Sequence, residues 1–171
     1  MFNKNIKLIL TALIVGFAIY QFTEGAIGNG IFLILFSLIF VFLYFRNELI
    51  LLAFLRMRKQ DLDGTEKWLS RIRHPEAALT GKQQGYYNYL YGIIFSQKNL
   101  TQAEKYFKKA LEFGLNMDYD LAMAKLSLAG IAMQKRRKRE ATILLKEAKK
   151  LDKNNMLTEQ IRMMQQQMKK I

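Results

Sequence analysis

The sequence predicts an all-α protein with a two-helix transmembrane hairpin followed by a short helical solenoid. The first 55 residues contain two long stretches without charge, which consist largely of leucine, isoleucine and phenylalanine. From residue 60 onward, apolar residues recur with the spacing of amphipathic helices, and short polar turns separate the helices. One proline and ten glycines in 171 residues leave little turn material for a sandwich or barrel of short strands.

Charge divides the chain into two unlike parts. Residues 1–55 contain three basic and two acidic side chains, and residues 56–171 contain the other 24 basic and 12 acidic ones, so the net charge of +13 divides as +1 and +12. This asymmetry predicts an apolar front and a strongly basic back. We expect three segments, which are a transmembrane hairpin at 1–48, helical repeats at 49–155 and a C-terminal capping helix at 156–171.

The two charge-free stretches cover residues 8–23 and 25–45. A helix needs about 20 residues to cross a hydrocarbon core of about 30 Å. We therefore expect spans at about 6–23 and 27–46, joined by an external turn at 23–30. A signal peptide and a buried core are the alternative interpretations.

Basic residues flank the predicted hairpin on one side only. Lys4 and Lys7 precede the first span and Arg46 and Arg56 follow the second, whereas the turn contains neither lysine nor arginine. The positive-inside rule then predicts a multi-pass cell-membrane protein with both termini in the cytoplasm, compatible with a bacterial inner membrane. Because no proline or glycine lies between residues 31 and 59, the second helix is predicted to continue unbroken beyond Arg46.

Helices in the basic part are predicted from apolar periodicity and from turn residues. Their expected ranges are 62–73, 82–97, 100–113, 117–134, 137–151 and 156–169. Gly114 is a plausible helix stop, because glycine is favoured just beyond a helix C-terminus.

Two of these helices carry the same pattern of small and large residues. The pattern occurs as Ala103-x3-Phe107-x2-Ala110 and again, 38 residues later, as Ala141-x3-Leu145-x2-Ala148. The preceding helices carry Tyr87-x2-Leu90-Tyr91-x2-Ile94 and Lys125-x2-Leu128-Ala129-x2-Ala132. Together these elements resemble the tetratricopeptide repeat (TPR), although Tyr91 and Lys125 depart from its pattern. The resemblance covers about 49–155, and it is specific only for 84–151.

This resemblance implies a concave surface formed by the first helix of each repeat, to which a protein or peptide binds. By register, the partner-binding residues would be Asn88, Tyr89, Gly92, Phe95, Met123, Leu126, Gly130 and Met133. The alternative is that these side chains pack inside the solenoid or against the last helix.

The densest charge in the chain lies in one predicted turn. It consists of Lys135, Arg136, Arg137, Lys138 and Arg139. Such a run is a candidate surface for anionic membrane lipid, or less readily for nucleic acid, because no aromatic residue interleaves with the charges. A merely solvated turn is the alternative.

The composition gives little support to a catalytic role. The chain has no cysteine and one histidine, His74, and it lacks the short motifs of phosphate loops, zinc proteases and serine hydrolases. The sequence therefore predicts a membrane-anchored, non-enzymatic protein-interaction scaffold without cofactor or metal. A small structural subunit of a membrane complex, and a binder of anionic lipid or nucleic acid through residues 135–139, are the alternatives. The oligomeric state stays open.

Overall fold

A computed structural model describes residues 4–45 and 47–169, and it confirms the all-α class: these residues form ten helices and no strand. The helices are α1 (Lys4–Thr23), α2 (Ile27–Phe45), α3 (Glu48–Arg58), α4 (Leu62–Leu69), α5 (Pro75–Ala78), α6 (Gly81–Lys98), α7 (Leu100–Phe113), α8 (Asp118–Gln134), α9 (Lys138–Leu151) and α10 (Thr158–Met168). The chain divides into two compact units, Met1–Leu51 and Leu52–Ile171.

The first unit contains the helical hairpin of α1 and α2. Its turn is tight because Gly25 takes a positive φ of 76°, a conformation that favours glycine. Gly30 is also required, since a Cβ atom there would lie 2.7 Å from Cζ of the Phe22 ring. The two helices therefore approach each other closely near the turn.

The predicted transmembrane hairpin is wrong. Among the described residues, no helix combines the length and the apolar character that crossing a membrane requires. The predicted cell-membrane localisation, with both termini in the cytoplasm, is contradicted by the same finding.

The expected continuous helix after the second apolar stretch is also interrupted. α2 ends at Phe45 and α3 begins at Glu48. Asn47 is not helical, and its Oδ1 accepts a hydrogen bond from the backbone N–H of Leu49 at 3.0 Å. Asparagine stabilises a helix start in this way, so a new helix begins here without proline or glycine. Arg46, the last residue of the predicted span, lies outside the described residues.

In the second unit, side-chain caps fix where several helices begin. Asp61 accepts a hydrogen bond from the N–H of Gly64 at 2.8 Å at the start of α4. Gln83 Oε1 accepts one from the N–H of Thr80 at 3.0 Å, which forms part of a capping box before α6. Asn99 caps α7 through the N–H of Thr101 at 3.0 Å. The helix that was expected at 62–73 is shorter in the structure, where α4 ends at Leu69.

The pairs α6/α7 and α8/α9 form most of the core of this unit. The two alanine patterns occupy equivalent buried positions on α7 and α9, and all six residues have at most 1% of their surface exposed. Glycines on α6 allow the close approach of α7. A Cβ atom on Gly92 would lie 2.7 Å from Cδ1 of Phe107, and one on Gly85 would collide with the carbonyl oxygen of Gly114.

The last helix, α10, covers the α8/α9 pair. Leu157 and Ile161 are buried in one apolar cluster with Leu126 and Leu145. The turn before α10 is held by buried Asp152, whose carboxylate accepts hydrogen bonds from the N–H of Met156 at 2.9 Å and of Leu157 at 2.8 Å. These bonds satisfy backbone donors that the turn would otherwise leave unpaired.

Candidate functional site

The four predicted partner-binding residues on α6 lie mostly inside the α6/α7 pair. Asn88 is buried, and its Nδ2 donates a hydrogen bond to the carbonyl oxygen of Gln84 at 2.7 Å. The Tyr89 ring packs edge-on against Phe107, with 6.0 Å between ring centroids, and Gly92 faces the same ring. Phe95 alone of the four remains half-buried.

The four predicted residues on α8 lie near α10. Leu126 and Met133 are buried, and Met123 and Gly130 are half-buried. A Cβ atom on Gly130 would be 3.2 Å from Cε of Met164 on α10. The eight residues therefore do not form one open surface, and their role in partner binding stays a prediction.

A different set of side chains forms a half-exposed apolar surface on α6 and α7. We call it the aromatic stack, and it consists of Tyr87, Tyr91, Phe95 and Tyr106. The ring centroids are 4.9 Å apart for Tyr87 and Tyr91, 5.2 Å for Tyr91 and Tyr106, and 5.3 Å for Phe95 and Tyr106. The three members on α6 are spaced by four residues, so they follow one face of that helix.

The phenols of Tyr87 and Tyr91 are neutral. Burial raises the pKa of Tyr87, and burial together with neighbouring phenols raises the pKa of Tyr91 well above its usual range. Their hydroxyl groups therefore stay protonated at neutral pH. A tyrosine in this state presents an apolar ring and one polar group, a combination that is frequent in protein interfaces.

An ion pair lies close to the aromatic stack. Lys98 Nζ is 2.6 Å from Oε2 of Glu66, and the hydrogen bond to this carboxylate raises the pKa of Lys98. Lys98 follows Phe95 by three residues on α6, so the ion pair lies beside the aromatic stack. The surface thus combines aromatic rings with a charged border, as many protein-binding surfaces do.

The basic cluster at 135–139 is divided between two environments. Lys135 and Arg137 contact Glu104 on α7, with Nζ to Oε2 at 2.8 Å and NH2 to Oε2 at 2.6 Å. Arg136, Lys138 and Arg139 are exposed, and Arg136 takes a positive φ of 57°. Two of the five charges therefore join helices, and the other three face solvent.

Glu104 is the centre of this network. Its side chain is only 12% exposed, and it also accepts a hydrogen bond from Lys108 Nζ at 2.8 Å. The Arg137 guanidinium, with the two lysines, holds the pKa of the Glu104 carboxyl well below its usual range. The carboxylate therefore stays ionised and links α7 to the turn before α9.

Sequence reasoning missed Glu104 and three of the four rings of the aromatic stack. Glu104 is 31 and 33 residues away from Lys135 and Arg137, and no local pattern links residues at such a separation. Tyr87, Tyr91 and Tyr106 were visible as aromatic residues at helical spacing. Tyr87 and Tyr91 were noted only as members of the repeat pattern, and Tyr106 belongs to no pattern that the sequence displays.

The described residues offer no group of histidine, aspartate or glutamate side chains arranged to hold a metal ion. His74, the only histidine, is exposed at the start of the short helix α5. Comparisons with protein-family models, with curated proteins and with solved structures found no match for this chain. Function is therefore argued from the chain's own surfaces.

Proposed function

We propose that this chain is a non-enzymatic protein-binding scaffold built on TPR-like helical repeats, and that its partner binds the aromatic stack. The observation that carries the proposal is the stack itself. Four half-buried rings are held in contact on two neighbouring helices, and none of them is enclosed in the core.

The energetics of aromatic side chains favour this use of the surface. Tyrosine and phenylalanine provide a large contact area at a low loss of side-chain entropy, because they rotate about only two bonds. Such residues dominate the binding energy of many interfaces. Since the rings already pack on one another, little further ordering is needed when a partner binds.

The repeat character draws support from the equivalence of the two helix pairs. The alanine patterns of α7 and α9 are 38 residues apart and are buried at corresponding positions. Arrays of this kind are stabilised by contacts between neighbouring helices, and they leave an extended surface for binding. The anchoring role that the sequence suggested is not part of the proposal, because the span prediction is wrong.

The proposal can be tested with a photo-crosslinking amino acid. p-Benzoylphenylalanine would replace Tyr87 in the stack, and in a control chain it would replace Phe113, an exposed aromatic residue at the end of α7. We expect a discrete protein adduct in the native cells from position 87 and none from position 113. The adduct should disappear when Tyr91→Ala and Phe95→Ala are added. The same adducts from both positions, or no adduct from position 87, would contradict the proposal.

A further inference from the structure

The outer face of α9 carries five cations without described partners. We call them the basic stripe, and they are Lys138, Arg139, Lys146, Lys149 and Lys150. All five are exposed. Within the part of the chain that the structure describes, none of these side chains takes part in a hydrogen bond or an ion pair. Their charge is therefore available to a ligand.

An apolar side chain lies in the middle of this charge. Arg139, Ile143, Lys146 and Lys150 are spaced by four, three and four residues, so they share one face of the helix. Ile143 is 50% exposed, and the basic residues around it are exposed as well. The face thus combines a central apolar contact with positive charge before and after it.

The same face borders a shallow groove of 660 Å³, lined by Arg139, Ile143 and Leu144 among others. Two carboxylates also line it, but each has its own partner. Glu140 is 2.8 Å from Arg137, and Glu147 is 2.5 Å from Lys125. These acids are therefore neutralised locally, and the basic stripe determines the sign of the potential.

We propose that this face of α9 binds an acidic amphipathic helix of a protein partner. Carboxylates spaced by seven and four residues on that helix would pair with Arg139, Lys146 and Lys150. An apolar side chain between them would pack on Ile143. The inference rests on the proposed scaffold function, and it adds the chemistry of the partner and a second surface, on α9 instead of on α6 and α7.

The composition of the face favours a protein helix over nucleic acid. Phosphate groups would satisfy the cations, but they would leave Ile143 against a charged backbone. The basic stripe also contains no aromatic ring on which a base could stack. An acidic helix matches the charges and the apolar contact at once, which is the basis of specificity in such grooves.

The test uses the full-length chain and a fluorescent 18-residue peptide with glutamates at positions i, i+7 and i+11 and a leucine at i+4, measured by anisotropy. We expect saturable binding, with an affinity about tenfold or more lower in Lys146→Glu/Lys150→Glu and several-fold lower in Ile143→Ala. The matched control is Lys105→Glu/Lys109→Glu, an exposed pair on α7 with the same spacing and charge change, which should bind as the wild type does.

Each contrary outcome overturns the inference. A scrambled peptide that binds equally well, or an equal loss in the α7 control, would show that only net charge matters. A single-stranded RNA that binds more tightly than the peptide, without any effect of Ile143→Ala, would assign the face to nucleic acid. Circular dichroism of each variant confirms that it is folded. Failure here, with an intact crosslink from position 87, would leave the scaffold proposal standing.

Discussion

Glu104 joins three cations from two parts of the chain, so its removal tests how much the network stabilises the fold. In Glu104→Gln, the amide cannot neutralise Arg137 and Lys135, and partly buried charge is left without its counter-ion. We expect the free energy of unfolding to fall by about 1–3 kcal/mol in urea titrations. Glu112→Gln, on an exposed part of the same helix, is the control and should change little. Equal effects of both variants would contradict the network.

The depressed pKa of Glu104 also predicts how stability depends on pH. A carboxyl whose pKa is lower in the folded chain than its ordinary value of 4.5 contributes stability that is fully present above pH 4.5. This contribution is lost as the pH falls below 4.5 towards the folded-state pKa. We expect the difference in melting temperature between wild type and Glu104→Gln to be constant from pH 7 to about 5 and to shrink below pH 4.5. A difference that stays constant down to pH 3 would assign the stabilisation to something other than ionisation.

Gly92 offers a second test at a single residue, because it allows α6 to approach the fully buried ring of Phe107. In Gly92→Ala, the new Cβ atom would be 2.7 Å from Cδ1 of that ring, and the helices would have to separate. We expect a loss of about 1–3 kcal/mol in the free energy of unfolding, despite the higher helix propensity of alanine. Gly81→Ala, where no heavy atom lies within 4 Å, is the control and should not destabilise the chain. Two equally stable variants would show that α6 and α7 are less tightly packed than described.

Among the elements, α10 makes a separable contribution, and Ile161 is the buried residue of this helix. Ile161 lies in the cluster with Leu126 and Leu145, whereas Met163 on the same helix is 54% exposed. We expect Ile161→Ala to lower the free energy of unfolding by about 2–4 kcal/mol and to speed amide hydrogen exchange along α10. Met163→Ala should do neither. Normal protection of α10 in Ile161→Ala would mean that other contacts hold the helix.

Several helices were predictable from the sequence almost to the residue. Residues 82–97 and 100–113 were expected to be helices, and the structure has α6 and α7 at almost the same bounds. The predictions failed where a short polar contact decides the outcome. Asn47 starts a new helix through one hydrogen bond, and α4 ends at Leu69, four residues before the expected end at residue 73. Such local caps leave little trace in hydrophobic periodicity.

The candidate surfaces were only partly predictable for a related reason. Phe95 is half-buried and Arg136, Lys138 and Arg139 are exposed, at positions that follow from helix phase and turn composition. The burial of Asn88 and Gly92 depends instead on which face of α6 meets α7, and no local pattern in the sequence gives that. A phase error of one residue rotates a helix by about 100°, which is enough to exchange an inner face for an outer one.

At the scale of the whole molecule, composition predicted the class but not the membrane spans. The apolar content of residues 1–55 suggested lipid, whereas no helix of the described residues combines the length and the apolar character of a membrane span. The charge asymmetry follows directly from the composition, since 24 basic and 12 acidic groups belong to residues 56–171. Mutual repulsion among the unpaired cations opposes folding of that part.

This repulsion predicts the response of the full chain to salt. Between about 50 and 300 mM sodium chloride, screening should relieve the excess positive charge more than it weakens the ion pairs of Glu104. We therefore expect the melting temperature to rise with salt by a few degrees in calorimetry. The rise should be smaller in Lys146→Glu/Lys150→Glu, which removes four units of net positive charge. A melting temperature that falls with salt would mean that the ion pairs dominate.

The position of α10 over Leu126 and Leu145 has a consequence for how such a chain can lengthen. An array of helix pairs grows only where an apolar face is open to receive the next pair, and α10 occupies that face with Leu157 and Ile161. Deleting α10 would uncover Leu126 and Leu145 and leave an apolar face on which another helix pair could stack.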